Sequence, residues 1–511
     1  MADTIAIASL TIGDKPVTLD DIVAVARRRA PIVLSPAALA RVKTGYSVLE
    51  KAAAGGQKIY GVTTGLGAAV DTKVESDAVF QQRVPLARSV GVGKLAETDA
   101  VRAMMAVRIA RLSTGVCGMS PATCEGLVKM LNKGVHPLVP LTGSLGESDL
   151  PPLAAIGAVL FGAGKAEFQG KVLAGDEAMN RAKVAIPLAR GKDGLGLVNS
   201  NAASLGLAAL ALADAKEAFA ALVAASALTL EGFRASLTPF DPRILALRPV
   251  PGQAEIAQAV FTLFEGGDLV MPGAARRLQD PLSIRCIPPV HAACLNALKQ
   301  AEAAIQLELN TADDNPAVLA ETRLVLSNSN FDTTHLVIAF EALGLVFARV
   351  AAMAGERLMK LMSPATSDLP RFLTKQDGRT GFGTLQKTIA SLVAEIQHAA
   401  MPMPAAVLTV ADRIEDYATM SVPVMLKTQE IVWRIRVLAA IECIVAAQAV
   451  DLREKVRLGS GTGMIHAHIR SLVPTLTDDR PSAPDIETID TAIRSGAFSQ
   501  MAEAIFKPVA A

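Results

Sequence analysis

Aromatic side chains are scarce in this 511-residue chain. Tryptophan occurs once, tyrosine three times, and aromatics total only 4%. Alanine, leucine and valine fill the apolar runs instead, which favours helices packed closely through small side chains. An excess of charge of one sign is also lacking. Fifty basic residues stand against 49 acidic ones, with no basic stripe or acidic tail. Nucleic acid and membrane surfaces therefore have no electrostatic support as partners. The five cysteines are odd in number and form no C-x-x-C pair, so free thiols in a reducing compartment are expected rather than disulfides or zinc. The six histidines show no metal-ligand pattern, and His466-x-His468 reads as structural or exposed. The start, Met1-Ala2-Asp3-Thr4, lacks a basic region followed by an apolar core. Uninterrupted membrane-length runs are absent too. The most apolar stretch, 202–230, is broken by Asp214, Lys216 and Glu217, leaving pieces shorter than the ~20 residues a span requires. The expectation is a soluble cytoplasmic protein.

What the chain does have is apolar mass, 51% of residues, arranged with helical periodicity. After Thr98-Asp99, a plausible cap, apolar residues fall at Val101, Met104, Met105, Ile109 and Leu112, with Gly115 placed to end the helix. Segment 203–232 is apolar nearly all round, as expected of a helix buried in a bundle. Further helices are predicted over 289–310, 333–362, 383–401 and 423–458. Alternating patterns are confined to short stretches, 4–12 and 165–172. Between the helices lie turn-rich stretches, and loops on rigid helices are where catalytic groups tend to sit. The predicted class is all-α, a long central helical bundle with a smaller mixed N-terminal region that carries the active-site loops. A boundary is set near 200, between an N-terminal region (1–200) and the bundle (201–511), within one continuous unit.

Two of those loops hold unusual residue combinations. Tyr60-Gly61-Val62-Thr63-Thr64-Gly65-Leu66-Gly67 puts a phenol at the mouth of a glycine-rich turn, without the spacing of a phosphate cradle. Gly143-Ser144-Leu145-Gly146-Glu147-Ser148-Asp149-Leu150-Pro151-Pro152-Leu153 is the second. Together with Gln279-Asp280-Pro281-Leu282-Ser283-Ile284-Arg285-Cys286, Asp313-Asp314-Asn315-Pro316, Ser329-Asn330-Phe331, Leu197-Val198-Asn199-Ser200-Asn201 and Glu415-Asp416-Tyr417, it resembles, in order, the motifs of the histidine/phenylalanine ammonia-lyase family. Asp478-Asp479-Arg480-Pro481 resembles that family's C-terminal D-R-P. The resemblance runs from about residue 16 to 496. It implies that Tyr60 removes the substrate's β-proton, that Arg285 clasps a carboxylate, and that Asn199 positions the substrate.

The departures from the family pattern redirect the chemistry. In the family an Ala-Ser-Gly closes into an electrophilic methylidene-imidazolone ring; here only Glu147-Ser148 stands between the flanks. Ring closure needs the nitrogen after the serine to attack the carbonyl before it, an approach that glycine's backbone freedom permits. With Asp149 in that place the ring cofactor is predicted absent. Further, Leu282 replaces a tyrosine, Arg88 and Tyr417 replace histidines, Ala202 a glutamine, and Lys387 an aliphatic residue. A quaternary ammonium has no lone pair to give to such a ring and leaves as a neutral amine without it. The resemblance is therefore to the ring-less branch, and it implies a small-molecule betaine substrate, ergothioneine, losing trimethylamine to give trans-thiolurocanate. In that reading Glu147 faces the trimethylammonium and Phe331 offers a cation–π surface. Lys387 and Glu415 address the thioimidazole, and Arg88 acts on Tyr60 or holds a loop. No other cofactor and no metal are implied; a homotetramer with shared sites is.

Structural readings compete with these. Lys387 lies across the helical wheel from Leu385, Ile389, Leu392, Val393 and Ile396, where a solvated lysine would sit. Glu147 is also placed to cap a helix starting near Pro151, and Glu415 and Asp416 would serve as a surface pair. Three rival functions stand beside the ring-less lyase. They are a ring-containing histidine or tyrosine ammonia-lyase or aminomutase, an inactive binding or scaffold relative, and a lyase for another betaine such as hercynine.

Overall fold

The computed structural model describes residues 8–74, 78–375, 378–404, 408–453 and 456–506. Two compact units divide the chain. The first comprises Met1–Ala211, Glu302–Ile338 and Met403–Leu426; the second comprises Leu212–Ala301, Ala339–Pro402 and Lys427–Ala511. Each unit is thus assembled from three separate stretches of the chain.

In the first unit some helices begin at a side chain that satisfies a free amide, whereas the expected Thr98-Asp99 cap is replaced by Glu97, which makes no side-chain bond there. Ser35 accepts from the Ala38 amide ahead of α1 (Pro36–Ala54), with proline at the first position. Helix α2 (Ala78–Arg88) buries Gln81, Val84 and Pro85. Helix α3 (Thr98–Leu112) ends just before Gly115, as expected, and Gly115 has a left-handed φ of +80°. Its pattern suggested one apolar face, but every residue from Ala100 to Leu112 is buried, including Arg102, Arg108 and Arg111. Each of these arginines meets acceptors inside the unit. Arg102 Nε donates to Val25 O at 2.9 Å, Arg108 pairs with Asp314 at 2.7 Å, and Arg111 pairs with Asp313 and Glu308. Helices α4 (Leu150–Leu160) and α5 (Asp193–Val198) complete the frame around the site.

Strands are short. Leu10–Ile12 pairs in parallel with Ile32–Leu34; the rest of the strand predicted over 4–12 includes residues 4–7, which lie outside the described ones. The strand predicted over 165–172 is a hairpin, Lys165–Phe168 against Lys171–Ala174. Gln169 and Gly170 turn it with φ of 51° and 76°, the left-handed pair that a tight two-residue turn demands.

The long helices match their expected positions closely: α6 (Ala202–Phe233), α7 (Ile287–Leu309), α8 (Thr334–Leu361), α9 (Leu385–Ala399) and α10 (Ser421–Asp451). Helix α6 is buried almost throughout, and its charged interruptions are only half-buried. Helix α10 stops seven residues before the predicted end. The Asp451 carboxylate there receives Arg470 Nε at 2.8 Å and the Thr475 hydroxyl at 2.8 Å, and contacts His466 Nε2 at 2.6 Å. His466 is therefore structural. Among the described residues α8, rather than α6, is long and apolar enough to cross a membrane by length and composition; half of its most apolar window is buried in the protein. All five cysteines are free.

Candidate active site

A cavity of about 600 Å³ in the first unit gathers Tyr60, Arg88, Glu147, Ser148, Asn199, Phe331 and Glu415, with Asn315, Asp416 and Tyr417. Six of the eight residues singled out from sequence are on its wall. Arg285 and Lys387 belong to the second unit and are not among the lining residues. Arg285 ends a short helix, Leu282–Arg285, and its Nε is buried without a hydrogen-bond partner. Lys387 is exposed on α9, whose buried stripe is Leu385, Ile389, Leu392 and Ile396.

Tyr60 is held at the start of its turn by local geometry. Gly61 has a φ of +68°, and a Cβ there would approach side-chain carbons of Leu195 and Leu66 to 2.5 and 2.6 Å, so only glycine fits. The chain then curls back so that the Gly67 amide donates to the Tyr60 hydroxyl oxygen at 2.9 Å. That donor remains on the oxygen when the phenol gives up its proton. Arg88, at the end of α2, is half-buried; burial lowers its pKa, while the proximity of Tyr60 and Glu415 favours its charge.

The 143–153 loop is zipped to the segment that follows Glu415. Met420 N–H donates to Leu145 O at 2.7 Å, the Thr419 hydroxyl to Gly146 O at 3.1 Å, and Thr419 N–H to Glu147 Oε1 at 3.1 Å. Glu147 consequently does not cap the following helix; Asp149 occupies the N-cap position. Burial raises the Glu147 carboxyl to about 7, with repulsion from Asp332, Glu415 and Asp149 outweighing the Thr419 amide. A group so tuned exchanges its proton near neutral pH. The cavity wall thus carries two carboxyl groups, Glu147 and Glu415, together with the Tyr60 phenol and the Arg88 guanidinium.

The Ser148 geometry bears directly on ring closure. Ser148 has a φ of +64°, and its hydroxyl donates to Asn199 Oδ1 at 2.6 Å. The Asp149 N–H, the atom that would have to attack the Glu147 carbonyl, donates instead to Ser200 O at 2.7 Å. The Asp149 carboxylate is fully buried and accepts from Ser144 Oγ, Ser204 N–H and Ser204 Oγ at 3.0, 2.6 and 2.8 Å. Burial lifts it to about 6 against these donors. Four hydrogen bonds therefore hold Asp149 in place, one through its nitrogen and three through its carboxylate.

Beneath the cavity lies a charged girder. Arg108 Nε donates to Gly196 O at 2.9 Å; burial opposes its charge, but the adjoining Asp314 carboxylate outweighs that and keeps it ionised. Asp313 accepts from Ser200 Oγ at 2.8 Å and Asn201 N–H at 2.6 Å, and the Asn199 amide reaches Asn315 O. The Asp313-Asp314-Asn315 motif is thus the support that fixes Asn199. Gln81, Thr419, Arg108 and Arg111 escaped the reading from sequence. Three arginines in an otherwise apolar helix were the available signal for two of them.

The aromatic amino acid lyase family model matches residues 17–471. The chain belongs to that family. Histidine ammonia-lyase from Alkaliphilus oremlandii is 35% identical over 505 residues, covering 98% of this chain and 99% of that one. Among solved structures, the ergothioneine-degrading ergothionase from Treponema denticola superposes with a TM-score of 0.90 at 30% identity, covering 96% and 99%. The phenylalanine aminomutase of Pantoea agglomerans gives 0.91 at 28%, covering 95% and 98%. The fold is the helical ammonia-lyase fold, and the protein is a carbon–nitrogen lyase of this family.

Proposed function

We propose that this aromatic amino acid lyase is a ring-independent amine-lyase of the ergothionase kind, eliminating trimethylamine from ergothioneine. The observation that carries the reading is the Glu147-Ser148-Asp149 turn: its Asp149 nitrogen is committed to Ser200 O, and the acidic Glu147 lines the cavity. The ergothionase likeness supports the same branch. Tyr60, as phenolate, takes the β-proton while the Gly67 amide stays on its oxygen. The C–H electron pair becomes the Cα–Cβ double bond, and the Cα–N bond breaks with its pair onto nitrogen. Trimethylamine leaves neutral, trans-thiolurocanate remains, and Tyr60 returns its proton to water.

Glu147 balances the trimethylammonium charge in the ground state, with Phe331 alongside as an aromatic face. Glu415 and Lys387 receive the thioimidazole, and Arg285 holds the carboxylate. Asn199, fixed by Ser148 and Asn315, orients the substrate, while Arg88 favours the phenolate. Because Arg285 and Lys387 lie outside the cavity lining, this assignment includes a homotetramer that shares its sites. Ile338 and Leu345, seven residues apart on α8, and Trp433 on α10 are exposed, and support such contacts. Five free cysteines support a cytoplasmic setting.

The test is to incubate the purified protein with ergothioneine, hercynine, histidine and tyrosine, following the conjugated acrylate and the released amine. Trimethylamine from ergothioneine is expected. Ammonia from histidine with no amine from ergothioneine overturns the proposal in favour of a ring-containing lyase, whose near-ultraviolet absorbance the protein would then show.

A further inference from the structure

A wholly buried glutamine joins the two segments on which the cavity's phenol and its substrate amide are mounted. The Gln81 side chain projects from α2 with no exposure to solvent. Its Nε2 donates to Gly61 O at 3.0 Å, directly after Tyr60. Its Oε1 accepts from Gly194 N–H at 3.0 Å and Leu195 N–H at 3.3 Å, in the first turn of α5. Leu195 lines the cavity, and Asn199 caps the other end of α5. The approach of α2 to α5 is equally close: a Cβ on Gly194 would fall 1.9 Å from Gln81 O.

From this geometry we infer that Gln81 is a positioning residue for the elimination, setting the distance between the Tyr60 oxygen and the substrate held at Asn199. A side chain that only filled space would not need both its donor and its acceptor matched. One that only closed the first turn of α5 would not need its donor aimed at Gly61. The amide does both at once, so movement of the Tyr60 turn against α5 must break a buried hydrogen bond. Proton transfer depends steeply on such distances, and displacements near 1 Å in supporting structure cost roughly 10²-fold in rate. The inference rests on Tyr60 acting as the base, as proposed above.

Gln81→Met keeps the length and apolar packing and loses all three hydrogen bonds. Gln81→Glu retains the acceptor, but as a carboxylate it has no donor for Gly61 O. Two measurements separate this inference from the functional reading. The first is amide hydrogen exchange across residues 59–67, which needs no substrate. Faster exchange there in Gln81→Met and Gln81→Glu is expected, with α1 unchanged. The second is steady-state turnover of ergothioneine, in which kcat is expected to fall about 10- to 100-fold while KM stays within about twofold. In a Tyr60→Phe background the Gln81 substitution is expected to have almost no further effect. Unchanged exchange at 59–67 in both variants overturns the clamp, whatever the substrate proves to be. A rise in KM with kcat preserved overturns the role in proton transfer. Loosened exchange in a protein inert toward ergothioneine leaves the clamp standing and removes the proposed function instead.

Discussion

Tyr60, Glu147 and Arg285 carry the residue-level consequences. Tyr60→Phe removes the base together with the acceptor of the Gly67 amide, so turnover should fall by about 10²- to 10⁴-fold with only a small drop in the thermal midpoint. Full activity in that variant would assign the base elsewhere. Glu147 titrates near 7, above the ordinary carboxylate range, because the folded cavity disfavours its charge. The folded state therefore holds this proton more tightly than the unfolded chain, and ionisation costs stability progressively as pH rises from about 4.5 to about 7. Glu147→Gln is expected to melt above the parent at pH 8 and alongside it near pH 4.5 in scanning calorimetry. The same titration gives the opposite sign for binding. An ionised Glu147 attracts a quaternary ammonium, so KM for a betaine should fall between pH 6 and 8 and then level off. Glu147→Gln should raise KM and flatten that dependence; a parent KM constant across the range would remove Glu147 from cation binding. Tyr60 was legible as a cavity residue because it stands in an extended motif, whereas Arg285 stands in a motif as long and lies outside the lining. Gln81 was not legible, because a buried polar side chain is recognised by its partners, and those lie 20 to more than 100 residues away.

At the level of elements, α3 shows how far a periodic pattern reaches. Its apolar spacing located the helix and its end at Gly115 but did not reveal burial on every side. The charges of Arg108 and Arg111 are balanced in that interior by Asp313, Asp314 and Glu308, which arrive about two hundred residues later. Asp314→Ala should therefore lower the unfolding free energy by about 3–5 kcal/mol, since it leaves Arg108 buried and without that partner. Thermal melting would show this, and Arg108→Met combined with Asp314→Leu should recover much of the loss. A midpoint unchanged in Asp314→Ala would mean the girder does not hold the site. The same elements explain the hairpin at 165–174: alternation marked the strands, whereas the Gln169-Gly170 turn is a local steric matter that alternation does not report.

For the whole molecule, the division into two units sets the open question of assembly. The cavity lining comes from three chain segments of the first unit, while Arg285 and Lys387 belong to the second. If sites are shared in a homotetramer, Tyr60→Phe and Arg285→Met, each inactive alone, should regain measurable turnover after co-refolding or co-expression, because some mixed sites receive both intact residues. Light scattering should give a mass about four times that of the chain. A monomer by scattering, or no complementation in mixed tetramers, would remove the shared-site proposal. Lys387→Met adds an independent check: weakened ergothioneine turnover is expected, and no change would return Lys387 to the solvated face of α9 that its exposure describes.

By itself the sequence determined the helical class, the family, the positions of the long helices and several of the loops that line the cavity. Those features depend on local periodicity, glycine stereochemistry and short motifs, all of which lie within a few neighbouring residues. Only the tertiary structure decided that the Asp149 nitrogen is turned onto Ser200, that Glu147 is tied to Thr419 rather than to its own helix, and that Gln81 bridges the Tyr60 turn to α5. Each is a hydrogen bond between residues distant in the chain. A buried polar group must find its partner wherever the fold brings one, and no local pattern records that choice.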